Sequence, residues 1–151
     1  MATSTLIQSL IAGADADQSH RREVETFIAG GTIAALDVVG SDSSQTGTDA
    51  ALYVTQAANV ATGNALAIGV ALHAASAGER VEVVTSGYVA DVNCAGGTIA
   101  AAGAALSAGS TAAGEVETAA AGDTAGCFAV SLEAKSATTT NRVAILVKKQ
   151  F

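Results

Sequence analysis

An all-β fold, a small barrel or sandwich of two pseudo-repeated units, is predicted by three features of the sequence. Residues 29–35, Ala-Gly-Gly-Thr-Ile-Ala-Ala, recur letter for letter as residues 95–101. A second echo follows each copy, residues 69–77 against 129–137, so the units share one order of elements and differ in loop length. Internal repetition of this kind marks a duplicated structural unit. Between the glycine turns lie short apolar runs with period-two alternation, the pattern of strands. Helical periodicity beyond the first dozen residues is weak.

In chain order, residues 1–22 read as an N-terminal arm and residues 23–151 as the β domain, with repeats of about 23–93 and 94–151. In the arm, Thr3, Ser4 or Thr5 could cap a short helix that Gly13 ends. Leu6, Ile7, Leu10 and Ile11 then fall within an arc of about 140°. Residues 14–22 are polar and read as a tether. Val24, Thr26 and Ile28 alternate with Glu23, Glu25 and Phe27 as a first strand. After the Gly30-Gly31 turn, residues 33–39 read as a second strand and residues 40–49 as an exposed loop. Residues 51–56 form a short strand carrying Tyr53, and residues 66–72 a buried one. The turn at Ala77-Gly78 leads into a hairpin strand with Val81, Val83 and Thr85, and another strand continues after Gly87. The second unit repeats the scheme with residues 99–106, Val116, and a closing hairpin of 128–132 with 143–147.

Half of the 151 residues are hydrophobic, but the excess is alanine and aromatics are only 3%. Alanine offers little area to bury, and apolar burial yields only about 25 cal/mol per Å². A thin core of this kind predicts stability completed by association with other chains. Proline is absent, so strand edges need charge, closure or a partner for protection.

The net charge of −7, with seven scattered basic residues, argues against nucleic-acid binding, which needs clustered Lys and Arg. No apolar run approaches the roughly 20 residues of a membrane-spanning helix, and the N-terminus has no secretory-signal pattern. Cys94 and Cys127 do not make a disulfide framework. Their repeat counterparts, Ile28 and Ala67, are apolar, so both read as structural thiols rather than ligands.

The sequence points away from enzymatic chemistry. His20 lies in the tether, and His73 matches Glu133 in the second unit, which predicts a solvent-facing position. No cluster of metal-ligand type is visible, and neither a Gly-x-Ser-x-Gly elbow nor a phosphate-binding loop occurs. Asp37, Glu79, Glu82 and Asp91 could act as paired acid and base only if the fold brought them together. No catalytic, cofactor or metal site is expected.

Residues 67–84, Ala-Ile-Gly-Val-Ala-Leu-His-Ala-Ala-Ser-Ala-Gly-Glu-Arg-Val-Glu-Val-Val, resemble a strand motif of the capsid decoration (cement) proteins of tailed bacteriophages. In that family the motif sits between two Gly-rich segments that open with a turn and a Val or Ile strand, here residues 29–39 and 95–106. The resemblance covers about residues 23–149. It implies β-barrel-like subunits, commonly homotrimers, on the outer surface of the virion. They would be made in the host cytoplasm, bridge capsomers and bind the major capsid protein, with no nucleic acid or membrane partner. The arm and the stretch 40–49 depart from the family pattern. Docking is therefore assigned to Leu6, Ile7, Leu10 and Ile11, with Phe151 as a C-terminal anchor. Two other readings use the same β body: a head-fibre base or tail component, and a glycan- or ice-binding module. The last is weakened because the recurrence at Thr111, Thr118 and Thr124 stops after two spacings.

Overall fold

The computed structural model describes residues 22–57, 67–94, 98–110, 112–120, 126–136 and 142–148. Its elements are strands, in agreement with the all-β expectation. They are β1 (Glu23–Ala29), β2 (Val38–Ser41), β3 (Tyr53–Gln56), β4 (Ala67–Ala71), β5 (Arg80–Asn93), β6 (Ala105–Ala108), β7 (Val116–Thr118), β8 (Ala129–Ser131) and β9 (Arg142–Val147). A short 3-10 helix, Gly47–Ala51, precedes β3. Residues 1–21 of the arm, and with them the expected helix, lie outside the described residues.

Strands β1 to β5 close on themselves in the order β1-β3-β2-β4-β5, with β5 returning to β1. The closing contacts are a parallel β1–β3 pair, Ile28 opposite Tyr53, and an antiparallel β1–β5 ladder from Glu23 to Ile28. This five-stranded barrel answers the edge problem without proline, because a closed sheet exposes no free ladder. The second unit extends from the other half of β5 in the order β5-β9-β8-β6-β7. Cys94, just past β5, then meets Val116 of β7 in a parallel bridge.

The repeat is visible in single hydrogen bonds. Ile33 and Ala75 exchange backbone bonds of 2.9 and 3.0 Å, and Ile99 and Lys135 exchange bonds of 3.0 and 2.8 Å. The members of these bridges are 66 and 60 residues apart, as in the two sequence echoes. The Leu36 N–H donates to Ala71 O just as the Gly103 N–H donates to Ser131 O, each 60 residues on in the acceptor strand. Gly103 is 67 residues after Leu36, so the second unit carries one extra residue between its bridge and β6.

The strands expected over 33–39 and 99–106 are shorter than the apolar pattern implies. Ile33 and Ile99 make only isolated bridges, and pairing resumes at Val38 and Ala105. The interruption is a turn: Leu36 sits at φ 68° and Gly103 at φ 86°, left-handed backbone that ends a strand. The loop expected over 40–49 is also corrected. Gly40 and Ser41 belong to β2, which is paired on both sides by β3 and β4, and Asp42 is buried.

Two apolar clusters account for the core. Ala29, Ile33, Val39, Val54, Ala71, Ala75, Val81 and Val83 draw on all five barrel strands and fill the first interior. The larger cluster includes Leu106, Val116, Phe128, Ile145 and Val147 of the second unit. It also takes in Val38, Val70 and Val84, which lie on the outer face of the first barrel. The second unit therefore covers one side of the first barrel. Each fully buried valine contributes roughly 1.5–3 kcal/mol relative to exposure, so several aligned valines can compensate for scarce aromatics.

Packing of β4 on β5 is close enough to exclude a side chain at Gly69. A Cβ there would run into the Val84 carbonyl oxygen and lie 2.8 Å from Val83 Cγ1. Gly69→Ala should lower stability by about 2 kcal/mol and the Tm by about 5 °C, read by thermal unfolding. An unchanged Tm would refute this packing.

Candidate interaction surfaces

The junction between the two units is built around Asp37, which follows the left-handed Leu36. Its residue is only 4% exposed, and its carboxylate accepts hydrogen bonds from three sources. These are the Ala34 N–H at 2.8 Å, the Gln56 side-chain amide at 2.6 Å and the Asn93 side-chain amide at 2.7 Å. Asn93, at the end of β5, also donates its N–H to Leu36 O at 3.1 Å and its side-chain amide to Ala35 O at 3.3 Å. A turn of the second unit comes in beside it. Val38 N–H donates to Gly114 O at 2.7 Å, and Gly114 N–H donates to Ala57 O at 2.9 Å. Gly114 has φ +81°, and a Cβ there would lie 2.8 Å from Asp37 Cγ. Sequence reasoning offered Asp37 as an acid or base, but all four of those carboxylates serve other ends or stand apart. Glu79 accepts the Ser76 N–H across a turn at 2.7 Å, Glu82 is exposed on β5, and Asp91 is an exposed left-handed residue at φ 57°.

His73 and Glu133 are both exposed, as their interchange predicted, and they also share a task. Glu82 N–H donates to His73 Nε2 at 3.3 Å, and Ala144 N–H donates to Glu133 Oε1 at 2.8 Å. The position needs an acceptor for a strand N–H, which neutral imidazole and carboxylate both supply. With His73 Nδ1 lying 3.2 Å from Ala74 O, the network assigns the tautomer protonated at Nδ1.

Cys94 and Cys127 are not joined in a disulfide; Cys94 is buried and Cys127 half-buried. Burial pushes the Cys94 thiol above its usual 9.0, and neighbouring Lys135 offsets that only in part. Lys135, 5% exposed, is a buried cation where the first unit has Ala75. Among the described residues, no group of three or more His, Cys, Asp or Glu could hold a metal ion, and no helix is long and apolar enough to cross a membrane.

The surface has two kinds of feature suited to contact. A groove of about 220 Å³ between the units is lined by Arg22, Leu36, Leu72, Val89, Ala90 and Asp91. On the outside of the second unit, Ala105, Val130, Leu146 and Tyr88 stand opposite one another across β6, β8, β9 and β5. Leu146 is 43% exposed, and Leu132, two residues along from Val130, is 44% exposed. Of the docking residues expected from sequence, Leu6, Ile7, Leu10, Ile11 and Phe151 all lie outside the described residues. The apolar row was missed because its members are dispersed over four strands; the alternation in residues 128–132 and 143–147 was its only local signal.

A closed five-stranded barrel continued into a second, related unit defines the class: a tandem all-β body. The chain is similar in fold to a solved structure described as the head fibre gp8.5 N base in bacteriophage phi29. The TM-score is 0.53 at 18% identity, over 85% of this chain and 95% of that one. No family model matches the chain, and no curated protein sequence matches it.

Two predictions follow from the polar sites. Asp37→Ala would strand the Gln56 and Asn93 amides and the Ala34 N–H, and should cost about 3 kcal/mol in urea unfolding. Asp37→Asn, which keeps the shape and one acceptor, should cost less; equal losses would show that volume rather than hydrogen bonding matters. Asp42 supplies the pH test. Its carboxyl is held below the usual 3.8 by the Ser44 hydroxyl, then the Ser44 N–H and the Gln45 amide, against a smaller effect of burial. With the folded value below the unfolded one, the ionised group contributes stability above about pH 4 and loses it as pH falls through the folded value. Wild type and Asp42→Asn should thus differ in unfolding midpoint at neutral pH and converge in acid, and a gap persisting to about pH 2 would contradict the assignment.

Proposed function

We propose that the protein is a structural component of a phage head, carried on its outer surface, where it bridges neighbouring capsid proteins and braces the shell. The observation that carries this reading is the fold correspondence with a head fibre base, which runs through 95% of that chain. The motif of residues 67–84, which resembles the decoration proteins, points to the same particle. Cementing a shell requires no reacting group. It requires a rigid body that buries area at several edges, with repeated placement on the shell multiplying weak contacts by effective concentration. A net charge of −7 keeps such a body soluble and discourages binding to other polyanions. Major capsid protein is the partner in this reading, with the stripe Leu6, Ile7, Leu10 and Ile11 as the docking segment.

A second reading, a base that mounts a fibre or other appendage, is favoured by the same structural neighbour, whose description is that of a fibre base. Mass spectrometry and cryo-electron microscopy of purified particles separate the two. Decoration predicts regularly spaced outer density and heads that resist heating better with the protein than without it. An appendage base predicts density continued by an elongated projection and no change in head stability. Absence from particles would refute both. Deleting residues 1–13 should reduce occupancy on heads while leaving the β circular-dichroism signal intact.

A further inference from the structure

One outer face is covered over three of its four positions in the first unit and is open in the second. In the first unit, Val38 stands opposite Val70, Val70 opposite Val84, and Val84 opposite Val24, across β2, β4, β5 and β1. In the second, Ala105 stands opposite Val130, Val130 opposite Leu146, and Leu146 opposite Tyr88, across β6, β8, β9 and the far half of β5. The strands correspond one to one, and every position in both rows is apolar. Their fates differ. Val38, Val70 and Val84 are 0% exposed and belong to the cluster that contains the second unit's core, while Val24, at the β1 end of the row, is 43% exposed. Leu146 is 43% exposed and Ala105 is exposed, with Val130 and Tyr88 half-buried. The flanking position repeats the contrast with the same residue type: Leu72 packs against that shared cluster, and Leu132 is 44% exposed.

A solvated outer face of a barrel normally alternates polar against the apolar interior, so an uninterrupted apolar row there calls for a cover. Within this chain the cover for the matching row is a unit of the same fold. We infer that the row Ala105–Val130–Leu146–Tyr88, with Leu132, is a self-association face whose occupant is a second copy of this chain. The contact would extend between chains the stacking that joins the two units within one. The row crosses four adjacent strands, so it presents a continuous strip rather than scattered residues, and no charged residue interrupts it. A face of this kind is self-limiting if the rotation between copies closes a ring and open-ended if it does not.

Sedimentation velocity and multi-angle light scattering of the full chain test this directly. Wild type should associate in a concentration-dependent way, and Leu146→Glu or Leu132→Glu should weaken association at least about tenfold. Leu52→Glu, a change at an equally exposed leucine beside the 3-10 helix, should leave association intact. Thermal melts confirm that each variant is folded, and both faces of the comparison are read on folded protein only. A wild-type chain that stays monomeric to about 100 µM, or association unmoved by both Leu146→Glu and Leu132→Glu, overturns the inference. Binding of a monomeric wild type to phage heads that is lost in Leu146→Glu would also overturn it, since the occupant would then be a capsid protein. Self-association is measured without heads, so the inference stands or falls separately from the virion role.

Discussion

The backbone pairing of one long strand holds the molecule together. Over its 14 residues β5 closes the first barrel against β1 and β4 and opens the second sheet against β9. Val81 and Val83 face the first interior, while Val89 and Val92 belong to the second core. A strand can serve two interiors only if it can bend and change register between them. Gly87, at φ 110°, and the left-handed Asp91 provide this, with an irregularity in the β9 ladder between Val89 and Val92. A one-residue slip elsewhere along β5 would turn its valines outward.

The Asp37 cluster locks what β5 joins. A buried carboxylate costs free energy unless its oxygens are satisfied, and here the donors come from the turn before it, from β3 and from the end of β5. Gly114 brings the second unit's turn against the same carboxylate and bonds to Val38 and Ala57 on either side. In a core of valine and alanine, hydrogen bonds with defined direction set the angle between units more sharply than apolar contact can. The second unit has Ala104 where the first has Asp37, and Ser131 takes over locally: its hydroxyl accepts from the Ala104 N–H and donates to Ala101 O, each at 3.0 Å.

The repeated residues build turns and interiors, and differences fall at the junction, in loop lengths, on the outer faces and at one buried position. His73 and Glu133 show that even an exchange of chemical type can be scaffold conservation, because both supply an acceptor to a strand N–H. Lys135 in place of Ala75 is the opposite case, a charge admitted to one unit beside Cys94 and not to the other.

Within the described residues of the β domain, the chain's local chemistry was legible over several strands but not over all of them. Alternation located β1, the hairpin of β4 and β5, and that of β8 and β9, since side-chain direction in a strand depends only on the neighbouring residue. The heptapeptide located the duplication. Apolar content misled at residues 33–39, where Leu36 continues the pattern while its backbone turns left-handed, and the lone Asp37 within that run was the available warning. Tertiary structure alone decided which faces are covered. The rows through Val70 and Val130 are apolar in sequence alike, yet Val38, Val70 and Val84 are buried while Ala105 and Leu146 are exposed. Burial depends on what packs against a surface, and that is a property of distant parts of the chain, and of other chains, that no local pattern contains.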